Sequence, residues 1–284
     1  RVYHVITAEK RLDQIARDFV WHYAKAWESG KVMLVCIDKI TCVRMYELIR
    51  KYWARHIAEL QAECKKTVDD QDEAYRQRQI VWMQETQAAV VVSEEQGEVE
   101  KFRQWNLDIT PHRRLMKDGM ELPEALRQKP QFHNLQRLAL DDAFKEPEHP
   151  FRIAIVCAMW LTGFDVPCLS TLYLDKPLKA HTLMQAIARA NRVNQGKNNG
   201  LIVDYCGILK NLRKALATFA GQGDAGHDGQ QLEKAPARPE EELLVDLGET
   251  VALLRQFLVD RGADLDAIYT LTGFERNAAI MKAK

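Results

Sequence analysis

Apolar residues recur at three- and four-residue steps between Ala8 and Glu28, at Leu12, Ile15, Phe19, Tyr23 and Ala26. That period puts them on one side of a helix, and Ser29-Gly30 supplies its stop. The next run, Lys31 to Ile37, is apolar without alternation, as in a strand covered on both faces of a parallel sheet. A second amphipathic stretch from Cys42 to about Lys66 carries Met45, Leu48, Ile49, Trp53 and Ile57, and a charged helical segment is predicted over 69–87. Further strands read over 88–93, 151–157, 171–174 and 200–205. Helices at 180–192 and 207–219 separate or follow them, and 97–149 reads as short helices and loops. Strands alternating with helices predict an α/β fold on a mainly parallel sheet.

The pattern changes at 221–240 (GQGDAGHDGQQLEKAPARPE), which holds four Gly and two Pro and little apolar bulk. Such a composition predicts a flexible linker. From Glu241 helical spacing returns, with Leu243, Leu244, Leu247, Val251, Leu254, Phe257 and Leu258. The predicted organisation is an α/β domain over 1–220, a linker over 221–240 and the start of a helical domain over 241–284. The opening Arg1-Val2-Tyr3-His4 lacks Met and a basic-then-apolar leader. An excised piece of a longer cytoplasmic protein is the expectation.

Composition narrows the class more than the function. Of 284 residues, 46% are hydrophobic and 28% charged, which excludes collagen-like and wholly disordered chains. Lys+Arg and Asp+Glu both number 40, so any polyanion-binding surface must be local. One candidate lies between Asp175 and Lys214, where eight Lys or Arg face two carboxylates, Asp175 and Asp204. No apolar stretch approaches a membrane span. The six cysteines contain no C-x-x-C pair, so buried reduced thiols are expected rather than a zinc or disulfide framework. Trp53, Trp82 and Trp105, at helical spacing among apolar neighbours, read as core or interface packing residues rather than base-stacking ones.

The chemistry concentrates between Val156 and Val193. A buried strand leads into Thr162-Gly163-Phe164-Asp165-Val166-Pro167, where Gly163 permits a tight turn and Asp165 can accept a ribose hydroxyl. About twenty residues on, Gln185, Arg189 and Arg192 stand at i, i+4 and i+7 on one helix face. A glutamine and two guanidinium groups so placed suit a nucleotide and the charge that develops on a transferring phosphoryl group.

These two segments resemble motifs V and VI of the superfamily 2 helicases, which lie in the second RecA-like domain. The surrounding words are narrower. Met159 to Asp165, Leu174-Asp175-Lys176-Pro177-Leu178, Leu183-Met184-Gln185 through Asn191-Arg192, Phe144-Lys145 and Ile202-Val203-Asp204-Tyr205 resemble the restriction (R) subunit of type I restriction-modification enzymes. The resemblance implies a RecA-like domain followed by a short helical C-terminal segment. Its implied setting is an ATP-dependent, site-specific deoxyribonuclease that translocates duplex DNA, in a complex with methyltransferase and specificity subunits. By that resemblance Arg189 and Arg192 are the motif VI arginines that reach the ATP γ-phosphate. Gln185, Gly163 and Asp165 serve nucleotide binding, and Thr162, Lys39 and Thr41 face the DNA backbone. Two departures stand out: Cys157 where many helicases have Thr six residues before the motif V Gly, and Thr162 where they have Arg.

No phosphate-cradling loop of the form G-x-x-x-x-G-K-[ST] occurs, since Gly30-Lys31 and Gly196-Lys197 lack the upstream Gly. Asp72-Glu73-Ala74-Tyr75 mimics a magnesium-binding acidic box but sits in a charged helical run, and reads as a solvated face. No nuclease carboxylate set is evident. ATP and Mg2+ are therefore expected to be held mainly by a first motor domain, and the 284 residues alone to be inactive. The rival readings are another superfamily 2 helicase or remodeller, and a non-catalytic nucleotide-binding module.

Overall fold

The computed structural model describes residues 2–65, 70–161, 163–190 and 200–209, with isolated positions between 244 and 259. The chain divides into two compact units, Arg1–Gly226 and His227–Lys284. In the first, helices α1 (Val2–Ile6) and α2 (Glu9–Lys25) precede strand β1 (Lys31–Cys36), followed by α3 (Lys39–Cys64), α4 (Asp70–Glu85) and β2 (Gln87–Val91). Short elements come next: α5 (Glu98–Arg103), α6 (Thr110–Asp118), β3 (Met120–Glu121), α7 (Glu124–Arg127), a 3-10 turn at Pro130–Phe132, β4 (Arg137–Leu138) and α8 (Leu140–Lys145). The chain then forms β5 (Phe151–Val156), β6 (Leu169–Asp175), α9 (Ala180–Ala190) and β7 (Leu201–Asp204).

Five strands make one sheet in the order β2-β5-β1-β6-β7, and every pairing is parallel. β3 and β4 form a separate antiparallel pair. The predicted α/β class with a mainly parallel sheet is thus observed, and the architecture is RecA-like. All six residues of β1 and all seven of β6 are buried. Because strand side chains alternate, the sheet feeds two cores. Val32, Leu34, Cys36, Val90, Ile153, Ile155 and Tyr173 pack beneath α2, α3 and α4. Met33, Val35, Ala89, Val91, Ala154, Val156, Leu172 and Leu174 pack against α8 and α9.

The five predicted strands and the helices predicted before them up to α9 are present with shifted ends. β6 starts two residues earlier than expected and ends one later, because Lys31 pairs with Leu169 at one end and Asp175 is held at the other. Arg11 of α2 meets Asp175 at 2.6 Å and also donates to the carbonyls of Ile6 and Tyr205. Helix α1 was not foreseen. The segment 97–149, expected as charged helices and loops, also contains the β3–β4 pair and buries Phe102, Leu107, Ile109, Met120, Leu122, Leu126 and Phe132.

All six cysteines are free, and Cys36, Cys42, Cys64 and Cys157 are buried, as expected. Trp53 and Trp82 join Tyr23 and Trp27 in an aromatic cluster. Trp105 lies outside the core. It is 53% exposed, with the Arg44 guanidinium 5.9 Å above its ring, because α5 ends just before it and turns it outward. Asp72 to Tyr75 lie exposed on α4, as the solvated-face reading requires. The predicted helix at 207–219 and the 221–240 linker lie almost wholly outside the described residues. In the 241–284 segment the described positions, Leu244, Leu247, Gly248, Val251, Ala252, Arg255 and Val259, are helical. Among the described residues no helix is long and apolar enough to cross a membrane.

One core position breaks the apolar rule. Lys31 opens β1 with 1% exposure, and its ammonium donates to the Ala143 carbonyl at 2.8 Å. Burial lowers its pKa from 10.5 to about 7. Between those two values the unfolded chain takes up a proton that the folded chain refuses. Stability therefore falls as pH falls through that window and levels off below it. Lys31→Met is expected to stabilise the fold at neutral pH by about 1–3 kcal/mol, the scale of a poorly satisfied buried polar group, with the gain shrinking at alkaline pH. Denaturant midpoints across pH check this, and a loss of stability at neutral pH would contradict it.

Candidate nucleotide and DNA-facing edge

In open parallel sheets ligands bind outside the carboxyl ends of the strands, where the connecting loops are free to vary. Here the carboxyl ends of β1, β5 and β6 lead into Asp38–Thr41, the 157–168 loop, which crosses to the amino end of β6, and 176–179. Lys176 ties two of these together, its Nζ donating to the Cys157 carbonyl at 2.5 Å.

The 157–168 loop is held by an aromatic column. Trp160 stacks on Phe164 with ring centroids 4.1 Å apart and planes 17° apart, and on Phe144 at 5.4 Å and 24°. The Lys145 ammonium lies 5.0 Å from the Phe164 ring. Trp160 takes a left-handed conformation, φ 68°. For a non-glycine residue that costs on the order of 1–3 kcal/mol, and stacked aromatic pairs return roughly 0.5–1.5 kcal/mol each. Gly163, at φ 72° with open space where a Cβ would sit, completes the reversal. Asp165 and Gly163 are exposed. Sequence reasoning found Gly163 and Asp165 but missed Trp160 and Phe164. The available signal was two aromatic residues on either side of a glycine in a loop that also carries Met159, Leu161 and Val166.

Helix α9 buries Leu183, Ala186, Ile187 and Ala190 against the sheet. Gln185 is exposed. Arg189 lies within α9, one turn beyond Gln185, though its side chain is outside the described residues, as are Arg192 and Thr162. The motif V turn and α9 come together: Trp160, Leu161, Phe164 and Val166 share a small apolar void with Ala186 above Met33 and Leu172. At the far end of α9, a Cβ on Gly200 would sit 1.9 Å from the Ala190 carbonyl oxygen, so only glycine lets β7 start there.

The DNA-side candidates divide. Lys39 opens α3, partly exposed, with its Nζ 3.3 Å from Glu95. Thr41 corrects the expectation of a backbone contact: it is 1% exposed, and its N–H donates to the N-capping carboxylate of Asp38 at 2.7 Å. It closes the first turn of α3 and presents no side chain at the surface. Asp38 also accepts from the Tyr3 hydroxyl at 2.5 Å, which joins α1 to this edge. Gly163, Asp165 and Gln185 are all exposed to solvent. Among the described residues no three His, Cys, Asp or Glu side chains gather as a metal site.

Comparison with known proteins adds the wider setting. A family model for the type I restriction enzyme subunit R, domain 3, matches residues 30–207. The chain is 32% identical over 237 residues to the HindI type I restriction enzyme endonuclease subunit of Haemophilus influenzae, covering 80% of this chain and 18% of that protein. It is 33% identical over 220 residues to the putative MjaIXP type I restriction enzyme endonuclease subunit of Methanocaldococcus jannaschii, covering 77% and 16%. Over a shorter 77-residue stretch, identity to the putative MjaVIIIP endonuclease subunit of the same organism reaches 48%, covering 27% of this chain and 8% of that one. The chain spans less than a fifth of the length of these relatives.

The two glycines make opposite physical demands, and stability measurements separate them. Gly163→Ala meets no neighbouring atom and is expected to cost about 1–2 kcal/mol from its left-handed backbone alone. Gly200→Ala must displace backbone and is expected to cost clearly more. Urea titration of both variants checks the order, and equal losses would overturn the close approach of β7 to α9.

Proposed function

Because the chain belongs to the type I restriction enzyme R-subunit family, through its domain 3, we propose that it is the second RecA-like motor domain of such a subunit. The membership sets aside an unrelated superfamily 2 remodeller. The whole subunit would be an ATP-dependent, site-specific deoxyribonuclease of the cytoplasm that translocates duplex DNA before cutting it. It would work beside methyltransferase and specificity subunits, with the nuclease residues outside these 284. The observation that carries this reading is the meeting of the motif V turn and helix α9 in one apolar layer on one face of the sheet. That layer is the means of fixing Gly163, Asp165, Gln185 and Arg189 relative to one another.

ATP with Mg2+, bound mainly to a first motor domain, supplies the free energy for translocation. On this chain Gln185, Gly163 and Asp165 would orient the nucleotide from the facing side. Arg189 and Arg192 would supply fixed positive charge where phosphoryl transfer concentrates negative charge, without the reorganisation that water would require. Lys39 and Thr162 would follow the DNA backbone through charge and hydrogen bonding rather than base edges, as sequence-independent movement requires. Opening and closing of two such domains around one nucleotide would convert each turnover into a step along DNA.

The test is made in the full-length subunit with its partner subunits. Arg189→Ala and Arg192→Ala are each expected to lower DNA-stimulated ATP turnover steeply, arginine fingers being worth about 10³–10⁵ in related NTPases, with folding unchanged by circular dichroism. Turnover within a few-fold of the unmodified complex would remove that arginine from the role.

A further inference from the structure

Beyond the motif residues, a cavity of about 360 Å³ opens at the carboxyl ends of β1, β2 and β5, lined in part by Asp38, Lys39, Glu95, Glu98, Lys101 and Cys157. Two of its cations converge on one carboxylate. Lys39, from the start of α3, lies 3.3 Å from one Glu95 oxygen, and Lys101, from α5, contacts the other. The neighbouring acids are committed elsewhere. Glu98 is buried and gripped by Arg113 through both of its oxygens, while Asp38 caps α3 and accepts from Tyr3. Glu95 itself is half exposed, and the two ammonium groups hold its carboxyl below the usual carboxylate range.

One carboxylate with each oxygen on a different lysine reproduces what two non-bridging oxygens of a phosphodiester would present. Exposed ion pairs of this kind contribute little stability, so a ligand of higher charge density can displace the glutamate. We propose that Glu95 occupies the place of a DNA backbone phosphate, so that Lys39 and Lys101 form a phosphate clamp kept closed by an internal competitor until duplex DNA arrives. The proposal rests on the DNA-translocating reading above. It adds Lys101 as a contact outside the helicase motifs and gives Glu95 the task of suppressing idle binding to polyanions. Displacement breaks two ion pairs and forms two of the same kind, so engagement stays reversible, as a moving motor requires.

The experiment compares binding of a fluorescent duplex of arbitrary sequence to the full 284-residue chain and its Glu95→Gln and Lys101→Ala variants over a range of salt. Glu95→Gln is expected to bind about three- to ten-fold tighter at low salt, the gain vanishing as salt rises. Lys101→Ala is expected to bind more weakly and to flatten the log–log salt slope by about one phosphate contact. Cys157 supplies a local reporter, since it lines the same cavity and its pKa is lowered to about 7, chiefly by the Cys42 thiol with help from Lys176 and Lys39. Saturating duplex should slow its alkylation by iodoacetamide several-fold, with Cys168, at the opposite end of the strands, as the control. Salt-dependent duplex binding with Glu95→Gln no tighter than the unmodified chain, or with Cys157 unprotected, would overturn the clamp and leave the motor reading standing. No salt-dependent duplex binding by any of the three chains would overturn both.

Discussion

A wholly parallel sheet has no face that it can leave to water, and that constraint organises the rest of this molecule. β1 sits at its centre, paired on both edges and buried on both faces. Its odd and even side chains each need a helical layer above them. The buried faces of α2 and α3 with Ile80 and Met83 of α4 supply one, and α8, α9 and the 157–168 loop supply the other. Hence the motif V turn is part of the core cover as well as part of the site. Trp160 and Phe164 close the sheet on one side and hold Gly163 and Asp165 at the surface.

Polar groups drawn into this arrangement are restricted to the ends of the strands. At the carboxyl end of β6, Asp175 is fully buried and burial raises its carboxyl pKa, while Arg11 at 2.6 Å opposes that shift. The ion pair joins α2 to the central sheet, and through Tyr205 it also reaches the end of β7. Removing one partner of such a pair is expected to be far more harmful than replacing both, since the survivor would be left as an isolated buried charge. At the amino end Lys31 donates to the Ala143 carbonyl with no ion pair among the described residues, and burial outweighs the attraction of Glu146 and Glu148 to lower its pKa. The two ends thus differ in kind: one holds a directly paired charge, the other an ammonium bonded to a carbonyl and packed against Phe144.

The carboxyl edge also explains why charged side chains of both signs crowd there without forming one basic surface. Lys39, Lys101 and Arg113 are each met by a glutamate from the segment after β2, and Asp38 is spent on capping α3. A neutral chain can therefore carry a local polyanion site whose cations are balanced internally in the free protein. Net charge conceals such a site, because the balancing groups count equally wherever they stand.

The sequence by itself determined the class of fold, the number and sequence position of the sheet strands, and the motif words around Gly163, Asp165, Gln185 and Arg189. Those features follow from local periodicity and from residues whose chemistry is intrinsic. Tertiary structure decided the strand order, which places β5 between β2 and β1 although it follows β2 by some sixty residues. It also decided that Thr41 serves the helix cap rather than the surface, that Trp105 lies outside the core, and that Glu95 stands between Lys39 and Lys101. Each of these depends on contacts between segments far apart in the chain. A reading of neighbours along the sequence carries no measure of which distant groups will compete for the same hydrogen bond, the same apolar layer or the same charge.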